Sequence, residues 1–158
     1  MKRGLLFNAL ILLCLSLMSF MCSNDDDGLD DNEQQIAQIR NTVQSGTWRI
    51  TRFMDSGQDE TTDFTGYEFS FNSDGSLIAT NGTNTKTGTW SVTNDSNSND
   101  DSSSDDDIDF NIFFAVPETD DFEDLNDDWD VVSSTSTKIE LIDISGGNGG
   151  TDMLTFER

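Results

Sequence analysis

The feature that most restricts the fold of this chain is a change in its hydrophobic period. From Trp48 onward apolar side chains recur at every second position. Trp48 and Ile50 alternate with Arg49 and Thr51; Tyr67, Phe69 and Phe71 alternate with Glu68 and Ser70; Ile108, Phe110, Ile112 and Phe114 alternate with Asp109, Asn111 and Phe113. Successive side chains of a strand point to opposite faces, so each run predicts a strand with one buried side. Shorter runs at 77–80, 87–93 (around Trp90 and Val92), 129–134, 138–144 and 152–157 follow the same rule, for about eight strands in all. The segment Asn72-Ser73-Asp74-Gly75 carries the Asp-Gly chemistry of a tight hairpin. Pro117 falls in the loop after Ile108 to Phe114, where it interrupts no ladder.

Before Trp48 the period is helical. Ile36, Ile39 and Val43 are spaced by three and four, which predicts an amphipathic helix over 33–44, with Gly46 just beyond its end. Sequential strands with local turns favour an up-and-down meander over a Greek-key sandwich, and closing the sheet removes its exposed edges. The predicted fold is therefore all-β, an antiparallel barrel of about eight strands preceded by one short helix.

A barrel of this size is filled by side chains or holds one small ligand. The alternation points Trp48, Ile50, Tyr67, Phe69, Phe71, Trp90, Phe110, Ile112, Leu141, Leu154 and Phe156 toward one another. They form either a complete core or the lining of a pocket. Counting by two from Trp48 also puts Arg52 inside, where an unpaired guanidinium is costly. Either Arg52 is a polar anchor for an anionic or hydroxylated ligand, or a bulge turns it outward and brings Phe53 in. The candidate ligand-binding set is Arg52, Tyr67, Phe69, Trp90 and Phe110.

The start of the chain bears on location. Lys2 and Arg3 precede an apolar run from Leu5 to Phe20, and Cys22 stands just before the polar run Ser23-Asn24-Asp25-Asp26-Asp27. This is the layout of an export signal, and a cysteine at the cleavage point implies diacylglyceryl transfer to its thiol. The alternative is a membrane-spanning anchor, although the run ends at a cysteine rather than a basic cluster. The expected division is a signal peptide over 1–21, an acidic tether over 22–32, and a barrel domain with its helix over 33–158. With Cys14 removed and Cys22 acylated, the domain has no free thiol and no disulfide, so a core must hold it together.

Charge and composition exclude several functions. Acidic residues number 31 against 8 basic ones, there is no histidine, and the formal net charge is −23. A chain without a Lys/Arg surface does not suit a nucleic-acid partner. There is no histidine, no Gly-rich phosphate loop and no serine elbow, and no thiol once Cys14 is removed and Cys22 acylated, so the reading is non-enzymatic. No cofactor is expected. Only an oxygen-ligand site for a hard cation such as calcium is open. Asp120, Asp121, Asp124, Asp127 and Asp128 could gather in the acidic loop over 118–130, and Asp105 to Asp107 in the low-complexity stretch over 94–107.

Gly46-Thr47-Trp48, at the junction of helix and first strand, resembles the Gly-x-Trp signature of lipocalins. The stretch from Gly46 to Arg158 is similar to the lipocalin-like, calycin-type small barrels of bacterial surface lipoproteins. Gly88-Thr89-Trp90 after a polar hairpin, paired late strands over 129–144, and a final strand ending in Leu154-Thr155-Phe156-Glu157-Arg158 extend the likeness. The resemblance implies that Arg158 stacks on Trp48 and closes the barrel floor; a frayed terminus is the alternative. The disulfide, the long first lid loop and the later short motifs of secreted lipocalins are missing. Residues Ser23 to Asp27 resemble tags that send lipoproteins to the outside of the outer membrane. Together these features imply a monomeric, lipid-anchored, cell-surface lipoprotein that holds a small apolar or amphipathic ligand. The alternative is a structural or interaction module with a solid barrel and acidic, calcium-responsive loops.

Overall fold

The computed structural model describes residues 31–94, 108–144 and 150–158. Cys22, the signal, the tether up to residue 30 and Asp105 to Asp107 lie outside the described residues. Helix α1 (Asp31–Val43) begins two residues before the predicted start and ends one residue early. Asp31 and Glu33 in its first turn and Arg40 in its last complement the helix dipole, and Ile36, Ile39 and Val43 form its buried face.

Nine strands follow: β1 (Thr47–Asp55), β2 (Gln58–Asp59), β3 (Glu68–Phe71), β4 (Ser76–Thr80), β5 (Thr85–Asn94), β6 (Ile108–Phe114), β7 (Asp127–Ser134), β8 (Lys138–Ile144) and β9 (Thr151–Glu157). Two 3-10 turns, η1 (Thr61–Phe64) and η2 (Glu123–Leu125), lie between them. β2 is a short ribbon on the end of β1, with Met54 opposite Asp59. The remaining strands run antiparallel in chain order, and β9 returns to pair with β1 from Arg49↔Glu157 to Met54↔Met153. The result is a closed eight-stranded meander barrel.

The turn at Asn72 to Gly75 has the predicted chemistry. Gly75 adopts φ 82°, which favours glycine, and Asp74 Oδ1 accepts hydrogen bonds from Ser76 N at 3.0 Å and Ser76 Oγ at 2.7 Å. Gly88 meets a steric demand instead. It faces Phe114 across the ladder, and a Cβ there would press on the Phe113 carbonyl oxygen and lie 2.8 Å from Phe114 Cδ1.

Two irregularities change the simple alternation. In β1 the register passes from Ile50↔Phe156 to Arg52↔Thr155, so Thr51 is an extra residue and a bulge follows. A bulge shifts the side-chain period by one, which exposes Arg52 and buries Phe53 at 1% exposure. Of the two alternatives for Arg52 the bulge is the one found, and its place in the ligand-binding set as an inward polar anchor is corrected. The second bulge, between Val131 and Ser133 in β7, leaves Val132 61% exposed.

The acidic loop expected over 118–130 is only partly a loop. Asp127 to Asp130 belong to β7, and the preceding residues turn inward to bury Phe122 and Leu125. Phe64 of η1 is buried beside them.

Candidate functional site

The barrel floor is built on Trp48. Its indole Nε1 donates to the Val43 carbonyl oxygen at 2.8 Å, which satisfies one of the unpaired carbonyls at the end of α1. Arg40 reaches from α1 to the Val92 carbonyl oxygen on β5 and fastens the helix across this end. Arg158 lies over the Trp48 ring with its guanidinium carbon 4.6 Å from the centroid, and its Nη1 donates to Ser45 O at 2.8 Å and Ser45 Oγ at 3.0 Å. The glycine of Gly46-Thr47-Trp48 has a physical reason here. A Cβ on Gly46 would sit 2.8 Å from Arg158 Nη1, so the arginine reaches the tryptophan over a residue with no side chain.

Inside the barrel the aromatic rings touch one another. Phe71 makes edge contacts with Trp90 at 5.4 Å, Phe110 at 5.5 Å and Phe156 at 5.5 Å, and Trp90 stacks on Phe110 at 5.8 Å. Phe69 contacts Phe156 at 5.3 Å. Such pairs are the preferred packing of aromatic cores, worth about 0.5–1.5 kcal/mol each beyond area burial. Of the sequence-derived ligand set, Phe69, Trp90 and Phe110 are therefore brought together as core. Trp90 Nε1 is also satisfied internally, by the Asn72 carbonyl oxygen at 3.0 Å. Arg52 stands apart on the outer wall, and Tyr67 sits half-buried just before β3 at the opposite end.

That opposite end, the mouth, is stoppered by Phe122. Its ring contacts Tyr67 at 4.9 Å, Phe114 at 5.0 Å, Phe64 at 5.4 Å and Phe69 at 6.0 Å. The Lys86 ammonium lies 5.6 Å from the Phe122 centroid and pairs with Asp120. Nearby, Asn126 takes the place of a strand: its Oδ1 accepts from Phe114 N at 2.5 Å and its Nδ2 donates to Phe114 O at 3.0 Å. Trp129 Nε1 donates to the Leu125 carbonyl oxygen at 3.2 Å. A recess of about 520 Å³ lies above this stopper, lined by Tyr67, Lys86, Asp120, Asp121 and Phe122 among others. A second recess of about 520 Å³ runs outside the floor between α1, Ser136 and Arg158.

Carboxylates crowd the mouth. Burial, then the charges of Asp55, Asp124, Asp63 and Asp121, raises Glu60 above the usual carboxylate range. Burial, then Asp55, Glu123, Asp121 and Asp63, does the same to Asp124. Asp127 is pushed up to about 6, first by burial and then by neighbouring Asp128 and Asp143. The hydrogen bond from Lys86 holds Asp120 low. Of the calcium candidates, Asp120 is paired with Lys86, Asp124 is on η2, and Asp127 and Asp128 are on β7. Among the described residues no group of three or more carboxylates is arranged to hold a metal ion.

The fold is thus a closed eight-stranded antiparallel barrel with a helix across its floor and an aromatic stopper in its mouth. No protein-family model matches the chain, and no curated protein matches it. The crystal structure of a DUF4847 family protein from Bacteroides vulgatus is similar at 16% sequence identity and a TM-score of 0.47, over 75% of this chain and 96% of that one.

Sequence reasoning missed Phe122 and Leu125. Their signal was present as two apolar residues spaced by three within an acidic run, the interval of a single 3-10 turn.

Proposed function

We propose that this protein is a non-enzymatic interaction module of the cell envelope, a lipocalin-like barrel that is solid and acts through its exterior and its acidic mouth. One observation carries the reading. Phe69, Trp90 and Phe110, the side chains placed to line a ligand cup, are in ring contact with the core or with each other and are at most 7% exposed. The contact of Arg158 with Trp48, and its close passage over Gly46, support the lipocalin resemblance. Acylation at Cys22 anchors the chain to the outer membrane, facing the cell surface.

The test is native mass spectrometry of the full chain purified gently from its own host. A mass equal to the acylated chain alone, unchanged by added lipid extract, is expected. A retained small molecule that survives buffer exchange overturns the solid barrel. Replacement of Cys22→Ser releases the protein from the membrane fraction, and a variant that still sediments refutes the anchor.

A second reading keeps the small amphipathic ligand but seats it above Phe122, in the recess between Tyr67, Lys86 and Asp120. In that case a retained mass disappears on Lys86→Gln and is unaffected by changes deep in the barrel.

A further inference from the structure

Three segments wall the recess above Phe122. Asp63 of η1 and Tyr67 just after it form one side, Asn84 at the end of the β4–β5 hairpin and Lys86 of β5 form the second, and Asp120 and Asp121 from the chain between β6 and β7 form the third. Each wall is fixed by its own backbone. Tyr67 N donates to the Phe64 carbonyl oxygen at 3.1 Å, Asn84 N donates to Asn81 Oδ1 at 2.8 Å, and Asp120 N donates to the Pro117 carbonyl oxygen at 2.9 Å. The side chains are left to the recess. Among the described residues, the Tyr67 hydroxyl, the Asn84 amide and the Asp63 and Asp121 carboxylates enter no hydrogen bond.

The lining selects among ligands by its chemistry. Three carboxylates against one ammonium repel a phosphate, a carboxylate or an anionic headgroup. Mostly polar walls do not suit a hydrocarbon tail. A simple cation needs acceptors only, and the Phe122 ring that would attract it already has Lys86 Nζ 5.6 Å from its centroid. What remains is a mixture of donors and acceptors beside an aromatic ring: Lys86 donates, the carboxylates accept, and Asn84 and Tyr67 do both. Hydroxyl groups also do both, and a sugar ring carries them around an apolar C–H face. The volume of about 520 Å³ falls within the range of about 300–1,000 Å³ typical of small-molecule sites.

We propose that the recess above Phe122 is a saccharide site that takes one neutral pyranose ring, packed on Tyr67 and hydrogen-bonded by Asn84, Lys86, Asp120 and Asp121. This rests on the reading that seats a ligand above Phe122, and it names the chemistry of that ligand. The Lys86–Asp120 pair sets a donor beside an acceptor, as two neighbouring hydroxyls of a ring require. Because the walls are fixed before binding, little ordering opposes it.

Glycan-array binding by the full chain, kept in a detergent without a sugar headgroup, tests the proposal, followed by calorimetric titration with the methyl glycoside of the bound residue. Retention of neutral glycans and not acidic ones is expected. Binding of the methyl glycoside points to a free sugar as the source, and binding of the longer chain alone to a glycan terminus. Affinity should be the same at about 0.05 M and about 0.5 M NaCl, since a neutral ligand has no charge to screen. Tyr67→Ala should weaken binding about tenfold. Asn84→Ala and Asp121→Asn, at exposed side chains that the fold does not use, should each weaken it about three- to tenfold. Asp128→Asn, on β7 outside the recess, should leave it unchanged. Absence of glycan binding overturns the site, as does binding that Asn84→Ala and Asp121→Asn leave intact. Preference for spermidine, weakened by salt, overturns it in favour of a cation. The two failures are distinguishable: a retained non-sugar mass that is lost on Lys86→Gln keeps the seat above Phe122 and overturns the saccharide, whereas a clean mass with no glycan bound overturns both.

Discussion

Gly46→Ala isolates the physical reason for the Gly-x-Trp junction. Gly46 does not have the positive φ of Gly57, Gly66, Gly75 and Gly82, so alanine fits the backbone. What its methyl meets is Arg158, with Nη1 at 2.8 Å, Cδ at 3.7 Å and Cζ at 3.9 Å. The guanidinium is the far end of a flexible side chain and will move rather than strain the barrel. Moving forfeits the stack on Trp48, worth about 0.5–1 kcal/mol for an exposed arginine. It also loosens the bonds to Ser45, worth together about 1 kcal/mol in a solvated setting. Against this loss of about 1–2 kcal/mol stands a gain of about 0.4–1 kcal/mol, because alanine restricts the unfolded chain. In the native background Gly46→Ala should therefore destabilise by about 0.5–1 kcal/mol. With Arg158→Ala already present, the same change should stabilise by about 0.4–1 kcal/mol. Urea unfolding followed by tryptophan fluorescence gives the four stabilities of the cycle, provided the slopes agree. The reasoning predicts a coupling of about 1–2 kcal/mol, and additivity within about 0.3 kcal/mol refutes it.

Gly88→Ala should cost more, about 2–3 kcal/mol, because its Cβ would press on the backbone carbonyl of Phe113, which cannot swing away; a loss under about 1 kcal/mol in the same assay argues against that strand contact. Phe122→Ala should destabilise by about 3–5 kcal/mol as a core truncation, and a change near zero would mean the ring is not seated in the mouth. Asp127 has a folded value of about 6 against an ordinary 3.8, so the stability it contributes is complete below about pH 4 and lost as pH rises to 6. The full shift corresponds to about 3 kcal/mol, which partial solvation reduces to about 1 kcal/mol. Asp127→Asn should therefore be more stable than the parent by about 1 kcal/mol near pH 8 and equal to it near pH 4, as read from urea midpoints. A gain that persists unchanged at pH 4 contradicts the burial argument.

The sequence made the barrel legible because strand alternation depends only on side-chain period and on short-range turn chemistry. Phe69, Phe71, Phe110 and Ile112 are buried on the face that the alternation assigns to them, and Asn72 to Gly75 makes the turn its residues demand. The side of Arg52 stayed open between two alternatives because a bulge is one extra residue, and its position depends on pairing with a strand about a hundred residues away. The bulge did leave a trace, since Phe53 is the next apolar residue and stands one place out of phase. Composition obscured the mouth: a run rich in Asp reads as solvated loop, and two apolar residues within it carry the burial. Whether the interior was core or cup could not be read from alternation, because both place the same residues inside. The ring-to-ring contacts of Phe71 with Trp90, Phe110 and Phe156 are what supports the proposed solid interior.

The pairing of β1 with β9 sets the timing of folding as well as the shape. Its floor contact joins Ser45 to Arg158 across 113 positions of chain. The hairpins from β3 to β9 are local and can form early, but Trp48 has neither its cross-barrel neighbours nor its arginine until the last strand arrives. Loop closure must precede that reward, so closing the seam is the slow, late event of a high-contact-order topology. Until then β1 and β9 are unpaired strand edges beside exposed aromatic residues, the state from which such chains aggregate.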